Sequence, residues 1–267
     1  MKFSIVTISF NQAQFLEAAI LSVLNQDYPD VEYIVVDPGS TDGSQDIIEK
    51  YRGRIQHVVY EKDSGPADGL NKGFNRATGD VFGFLNADDE LMPNALNEIA
   101  TAFNKALQAD VISGCGYFVN SVGSILGPIV PTKLTPWLFA YGGVTIFQQG
   151  TFFRSSYFRK VGGFNVNNCT CWDGELFLDM ALDGARFSTI GSDIAYFRLH
   201  DGSITGSGRL DLKYRLDCDR LFAKVTGRQR VMADDFIGWV ASFVKLVINP
   251  AYLVRRLVRA NATQSHQ

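Results

Sequence analysis

The stretch Val81-Phe82-Gly83-Phe84-Leu85-Asn86-Ala87-Asp88-Asp89-Glu90 decides the fold. Its first half is too short and too continuously apolar for a surface helix, and it follows Ala77-Thr78-Gly79, a helix stop. It predicts a central parallel strand. Its second half sets adjacent carboxylates at the tip of that strand. Crowded acids at a buried strand end repel one another, and a hard divalent cation shared with a phosphate relieves the repulsion. The stretch therefore predicts a metal–diphosphate site. A plainer reading stands beside it: Asp88 or Asp89 caps a helix expected to begin near Pro93.

Upstream, the pattern of strand then helix recurs. Residues 3–10 alternate as a strand does, and residues 12–25 place Leu16, Ile20, Val23 and Leu24 on one helical face. Residues 32–36 predict a second strand, and Ser40-Thr41-Asp42-Gly43-Ser44 supplies turn and cap before a helix over 45–51. A third unit has a strand over 55–60, a loop over 61–65 and a helix carrying Ala67, Leu70, Phe74 and Ala77. Repeated units of this kind imply a parallel sheet with its ligand crevice outside the carboxyl ends of the strands. Those ends carry chemistry. Strand one ends at Ser9-Phe10-Asn11, strand two at Asp37, strand three runs into Asp63-Ser64-Gly65 and strand four ends at Asp88-Asp89. Acids at three successive tips converge on one edge, which separate capping roles do not explain.

Beyond Gln108 the pattern changes. Residues 110–120 predict a strand, 121–124 a turn, 146–154 another strand, 172–182 a helix, and 186–190 and 194–200 two further strands. A mixed sheet follows.

With 267 residues and 46% hydrophobic content the chain can bury a full α/β core with an appendage. The formal charge of −3 hides an asymmetry, because residues 209–267 carry eleven Lys/Arg against five Asp/Glu while residues 1–208 are acidic. An acidic core argues against nucleic acid as a partner. Cys115, Cys169, Cys171 and Cys218 form no paired framework, so free thiols are expected. Met1-Lys2 runs straight into strand-like sequence with no charged leader, and a cytoplasmic location is expected.

The tail, residues 234–260, combines Phe236, Trp239, Val240 and Phe243 with a basic cluster at Arg255, Arg256 and Arg259, interrupted by Lys245 and Pro250. It lacks the ~18–20 uninterrupted apolar residues of a membrane span. Two readings stay open: an amphipathic helix lying on an anionic inner membrane face, or a helix docked on its own domain or on a partner.

In order along the chain, Ser4-Ile5-Val6-Thr7-Ile8-Ser9-Phe10-Asn11, Val35-Val36-Asp37-Pro38-Gly39-Ser40-Thr41-Asp42-Gly43-Ser44, Asn71-Lys72-Gly73, Leu85-Asn86-Ala87-Asp88-Asp89 and Phe197-Arg198-Leu199-His200 resemble the inverting family 2 glycosyltransferases of GT-A fold. The resemblance spans about residues 1–208, and residues 209–267 form a helical, basic extension. It implies an α/β, Rossmann-like, mainly parallel mixed sheet flanked by helices, a nucleotide-sugar donor, most often a UDP-sugar, and Mn²⁺ or Mg²⁺ as cofactor. The acceptor it implies is a saccharide or a lipid-linked one in surface polysaccharide or glycoconjugate synthesis.

Carried over residue by residue, the resemblance assigns Thr7, Phe10, Asn11, Asp37 and Gly39 to the base and ribose and Asp68 and Lys72 to the neighbourhood of the diphosphate. The family's Asp-x-Asp motif falls on Asn86-Ala87-Asp88, so its first acid is Asn here. Asp88, Asp89 and His200 are the implied metal set, with Arg198 closing over the diphosphate. Asp173, in Trp172-Asp173-Gly174-Glu175, matches the catalytic base, with Glu175 as fallback, although both also suit the first turn of a helix. Gln148-Gln149 resembles a segment lining the acceptor side. Two other classes compete. A nucleotidyltransferase needs a glycine-rich, basic loop after strand one, which Asn11-Gln12-Ala13-Gln14 lacks, and a non-catalytic sensor would lack the base.

Overall fold

The computed structural model describes residues 1–200 and 211–248. Its first half alternates strand and helix: β1 (Phe3–Ile8), α1 (Ala13–Leu24), β2 (Val31–Val36), α2 (Ser44–Lys50), β3 (His57–Val59), α3 (Pro66–Phe74) and β4 (Val81–Asn86). The second half adds β5 (Glu90–Leu91), α4 (Ala95–Lys105), β6 (Val111–Val119), β7 (Ile125–Ile129), α5 (Pro136–Ala140), β8 (Thr151–Arg154), α6 (Ser155–Lys160), α7 (Trp172–Leu182) and β9 (Phe187–Arg198). Two further helices, α8 (Asp211–Thr226) and α9 (Met232–Ile248), follow.

The strands form one sheet in the order β3-β2-β1-β4-β8-β6-β9-β5, with β7 beside β6. β3, β2, β1 and β4 are mutually parallel, and β8 is antiparallel to both β4 and β6, so the sheet is mixed. Alternate residues feed opposite layers. Ile5, Tyr33, Val35 and Leu85 face the layer built with Leu16, Ile20, Ile99 and Phe103. Val6, Ile34, Val36, Phe82 and Phe84 face a second layer with Leu70, Phe74, Phe158, Trp172 and Phe177. Each buried side chain of this size contributes roughly 1.5–3 kcal/mol, which is what holds helices on both faces. α3 lies so close to the sheet that a Cβ on Gly73 would sit 2.5 Å from Val6 Cγ1, so only glycine fits there.

The structure departs from the sequence expectation in several places. Residues 146–154 do not form one strand: Gln148–Gly150 make a 3₁₀ turn, and β8 begins only at Thr151. The turn exists because both glutamine amides are drawn inward, Gln148 Nε2 donating to Phe84 O at 2.7 Å and Gln149 Nε2 to Asp89 Oδ2 at 2.7 Å. The two expected strands after α7 are one, β9, with the irregularity absorbed as register shifts against β6. The short strands β5 and β7 and the helices α5 and α6 carry too few residues for a periodic signal. The expected domain boundary near 208 lies outside the described residues, as do Pro250 and the basic cluster at Arg255, Arg256 and Arg259.

α8 and α9 dock on the body. Phe222 and Ala241 pack with Ala140 and Tyr141, and Arg220 makes two 2.7 Å hydrogen bonds to Glu175.

Candidate active site

Register brings the strand tips to one level. Ile8 pairs with both Val36 and Asn86, so Ser9, Asp37 and Ala87 leave the sheet side by side. Outside these ends opens a cleft of ≈ 2050 Å³, bordered by Ser9, Phe10, Asp63, Asn86, Ala87 and Asp88 on one side and by Gln148, Gln149, Trp172 and Asp173 on the other. Strand four and the first turn of α7 thus present carboxylates to the same space.

Asp88 Oδ2 lies 3.0 Å from His200 Nε2, and the imidazole rests against Phe15. His200 borders an adjoining hollow that it shares with Phe10 and Asn11. A carboxylate oxygen and an imidazole nitrogen at this spacing fit a six-coordinate divalent ion whose remaining ligands are water and substrate phosphate, the usual arrangement for Mg²⁺ or Mn²⁺. Among the described residues there is no cluster of three or more such donors, so the protein would supply a minority of the ligands.

Asp89 takes a different part from the one expected of it. It is 1% exposed and faces inward, accepting hydrogen bonds from Arg198 N at 2.9 Å, Gln149 Nε2 at 2.7 Å and Asn86 Nδ2 at 3.2 Å. Burial first, and then the neighbouring Asp88 charge, push its pKa well above the usual carboxylate range. It ties β4, the 148–150 turn and β9 together and does not border the cleft. Arg198, too, is engaged within the protein. Its guanidinium donates to Asp88 O at 2.9 Å and Asn120 O at 3.0 Å, pairs with Glu90 and stacks over Phe15. It braces the backbone that carries Asp88.

On the nucleotide side, Phe10 and Pro38 border the cleft, with Phe10 60% exposed. Asn11, at φ 52°, accepts from Thr41 N and donates its own N–H to Ser40 Oγ, which fixes the rim. Thr7 points the other way: it is fully buried and its hydroxyl is 3.0 Å from Tyr33 Oη, because strand alternation puts Ile8, not Thr7, toward the cleft. Asp37 is enclosed by its own turn, accepting from Ser40 N at 2.7 Å and Ser40 Oγ at 2.6 Å, while Gly39, at φ 124°, makes that turn possible. Asp68 and Lys72 pair with each other at 3.1 Å and hold the Lys62–Gly65 loop, Asp68 accepting from Ser64 N and Lys72 donating to Lys62 O. They support a loop whose own Asp63 borders the cleft.

Asp173 accepts from Gly174 N at 2.8 Å through Oδ1, and burial raises its pKa. A carboxylate with a raised pKa bordering a substrate-sized cleft is suited to take a proton. Glu175 is not. Arg220, Asn168 and Asn165 surround it, and against the cost of burial these hydrogen bonds lower its pKa to about 2. It anchors α8 to α7.

Several cleft residues escaped the sequence reading as site residues. Asp63 could have been included from the rule that strand tips carry the ligand. Among the described residues Ser9 Oγ, buried at the tip of β1, meets no hydrogen-bond partner. Tyr214, Cys218, Leu221, Arg230 and Lys245 border the cleft from α8, the following turn and α9, a contribution no spacing signal announces.

Comparison with known proteins supplies a family. A model described as Glycosyl transferase family 2 matches residues 4–161. An uncharacterised glycosyltransferase of Nostoc is 30% identical over 212 residues, covering 75% of this chain and 65% of its own length. The GalNAc(5)-diNAcBac-PP-undecaprenol beta-1,3-glucosyltransferase of Campylobacter jejuni is 33% identical over 118 residues, 43% of this chain and 38% of that protein. The chain thus spans less than two thirds of either relative. Residues 1–349 of S. aureus TarS, solved in complex with UDP-GlcNAc, superpose with a TM-score of 0.69 at 20% identity, over 94% of this chain and 73% of that one. The shared architecture is that of the GT-A glycosyltransferases.

Proposed function

The chain belongs to glycosyl transferase family 2, and from that premise we propose that it is an inverting glycosyltransferase moving a sugar from a nucleotide-sugar donor, a UDP-sugar, to a saccharide or lipid-linked acceptor in surface polysaccharide or glycoconjugate synthesis. One observation carries the reading: Asp88, hydrogen-bonded to His200, and Asp173 border a single cleft at the strand tips.

In this reading Phe10 and Asp63 border the nucleoside, and Asn86, Ala87 and Asp88 form the floor under the diphosphate. Asp88 and His200 would hold Mn²⁺ or Mg²⁺, which acts as a Lewis acid on the departing diphosphate. Asp173 takes the proton of the acceptor hydroxyl as that oxygen attacks the anomeric carbon from the face opposite the leaving group. Gln148 and Gln149, each 5% exposed, border the cleft between the two groups. That placement supports assigning them to the acceptor side.

α9 supports the lipid-linked branch. Phe236, Trp239 and Phe243 are 68%, 68% and 59% exposed at helical spacing, while Ala241 on the opposite face is buried. Among the described residues no helix is long and apolar enough to cross a membrane. We therefore assign residues 234–260 a peripheral contact with an anionic membrane surface on the cytoplasmic side, and residues 1–208 the catalytic unit. The Campylobacter relative's own acceptor is undecaprenol-linked by name.

The test is a thermal-shift panel of nucleotide sugars with and without Mn²⁺, followed by donor hydrolysis. Stabilisation should single out one base and sugar and follow RT ln(1 + [L]/Kd). Metal-dependent stabilisation by UDP and slow hydrolysis lost in Asp173→Asn uphold the reading. No stabilisation by any nucleotide sugar removes it.

A further inference from the structure

We propose that Cys171 and Cys218 form a peroxide-oxidisable dithiol in the wall of the cleft, a covalent modification site that crosslinks the start of α7 to α8.

All four cysteines are free, but two of them meet. Cys171 immediately precedes α7, two residues before Asp173, and Cys218 lies on α8. Their side chains lie within interaction range of each other, and both border the cleft, so a small oxidant reaches them without unfolding. Contacts on either side fix the two segments against each other. Thr170 Oγ1 donates to Asp217 Oδ2 at 2.6 Å, and Arg220 grips Glu175 with two 2.7 Å bonds. The thiols are thus juxtaposed by the fold rather than by chance encounter.

The surroundings divide the two roles. The neighbouring Cys171 thiol is the main influence lowering Cys218, which Tyr214 and Arg230 assist and which burial and Asp219 oppose, and the result is about 7. A substantial thiolate fraction at neutral pH makes Cys218 the nucleophile. Cys171 is held protonated, chiefly because it faces that thiolate. Its sulfur also accepts from Asn168 Nδ2 at 3.6 Å. Oxidation removes the neighbouring charge and with it the main cause of the raised Cys171 pKa.

The chemistry balances with hydrogen peroxide as oxidant. The Cys218 thiolate attacks one peroxide oxygen and breaks the O–O bond, giving a sulfenic acid and hydroxide. Cys171 sulfur then displaces the sulfenic hydroxyl, forming S–S, and its proton leaves with the departing oxygen as water. Two thiols are oxidised and one peroxide becomes two waters.

The test treats the full chain with hydrogen peroxide and maps peptides without reduction. The expected product joins the Cys171 and Cys218 peptides with loss of two hydrogens and is reversed by dithiothreitol. In Cys171→Ser a sulfenic acid should accumulate at Cys218, trapped by dimedone, and Cys218→Ser should yield neither product. Iodoacetamide alkylation of Cys218 should rise with pH through a midpoint near 7. Peroxide that leaves both thiols reduced, or crosslinks Cys169 instead, overturns the proposal. None of these measurements needs donor or acceptor, so the site stands or falls apart from the proposed activity.

Discussion

Asp88 Oδ2 and His200 Nε2 stand 3.0 Å apart although 112 residues separate them in the chain, because β9 runs beside β5 and returns its carboxyl end to the tip of β4. The pair is the point at which the two halves of the sheet meet over the cleft.

Removing Asp88 should therefore cost more than removing a typical binding contact. Asp88→Asn keeps the shape but discards the charge that would hold the cation, and kcat/KM should fall on the order of 10²–10³-fold, the size of a Lewis-acid contribution of several kcal/mol. His200→Ala should weaken Mn²⁺ binding with a smaller loss. Titrating UDP in the presence of Mn²⁺ and then of a chelator checks both. A wild-type affinity for UDP indifferent to the chelator would count against metal at this site.

Arg198 should behave as a brace rather than a ligand. Its guanidinium side chain is 8% exposed and engages Glu90 and three carbonyl oxygens, so Arg198→Ala strands a carboxylate and several acceptors. With Glu90 29% exposed and able to recover water, the loss should be about 1–3 kcal/mol, chiefly from the stranded acceptors. Urea unfolding should show that loss in the absence of any ligand. If stability holds while only donor KM rises, Arg198 contacts the diphosphate after all.

Asp173 links activity to pH in a definite direction. Burial raises its folded-state pKa, so as the proposed base Asp173 would be protonated at a higher pH than an ordinary aspartate, and the acid limb of kcat/KM should shift upward. The same shift destabilises the fold: the folded state holds the proton more tightly than the unfolded one, so stability is greatest at low pH and declines as pH rises through the two pKa values. Asp173→Asn, which can still accept from Gly174 N, should thus be more thermostable at neutral pH while transferring ~10²–10⁴-fold more slowly. A variant both slow and unstable would point to a structural role.

Glu175 titrates with the opposite sign. Its folded pKa of about 2 lies below the unfolded value, so its contribution is full above the ordinary carboxylate range and lost as pH falls through about 2. Arg220 is 42% exposed, so solvent screening moderates the pair, and Glu175→Gln should cost ~1–3 kcal/mol in chemical denaturation. A double-mutant cycle with Arg220→Ala should show coupling between the two. Additive losses would mean that the Glu175–Arg220 pair does not hold α8.

The strand tips were legible in the sequence because each sits where an apolar run meets a turn, which fixes Asp37, Asp63 and Asp88 at one edge before any contact is known. What adjacent residues do within such a tip was not. Asp88 and Asp89 differ by one position, and only Gln149, sixty residues away, and the Arg198 amide decide that Asp89 turns inward. Thr7 came to the base and ribose through the resemblance alone; in the fold its hydroxyl meets Tyr33 Oη, on the face of β1 opposite Ile8, a contact no local spacing announces. The contribution of α8 and α9 to the cleft was illegible because it depends on where two helices dock, through Phe222, Ala241 and the Glu175–Arg220 pair.

The outer face of α9 carries the last test. Phe236, Trp239 and Phe243 recur every three or four residues on the side away from Ala241, so they can enter a lipid interface without disturbing the docked face. Full burial of an aromatic ring is worth roughly 1.5–3 kcal/mol, so even partial insertion of two rings amounts to about a tenfold change in partitioning. Trp239→Ser with Phe243→Ser should lower binding to vesicles containing anionic lipid by at least that much, leaving thermal stability and UDP affinity near those of the parent, because neither ring supports the fold. Raising salt should weaken what remains, since a basic tail acts over about one Debye length. Binding unchanged by the double substitution, or equal on neutral and anionic vesicles, would assign this stripe to something other than a membrane.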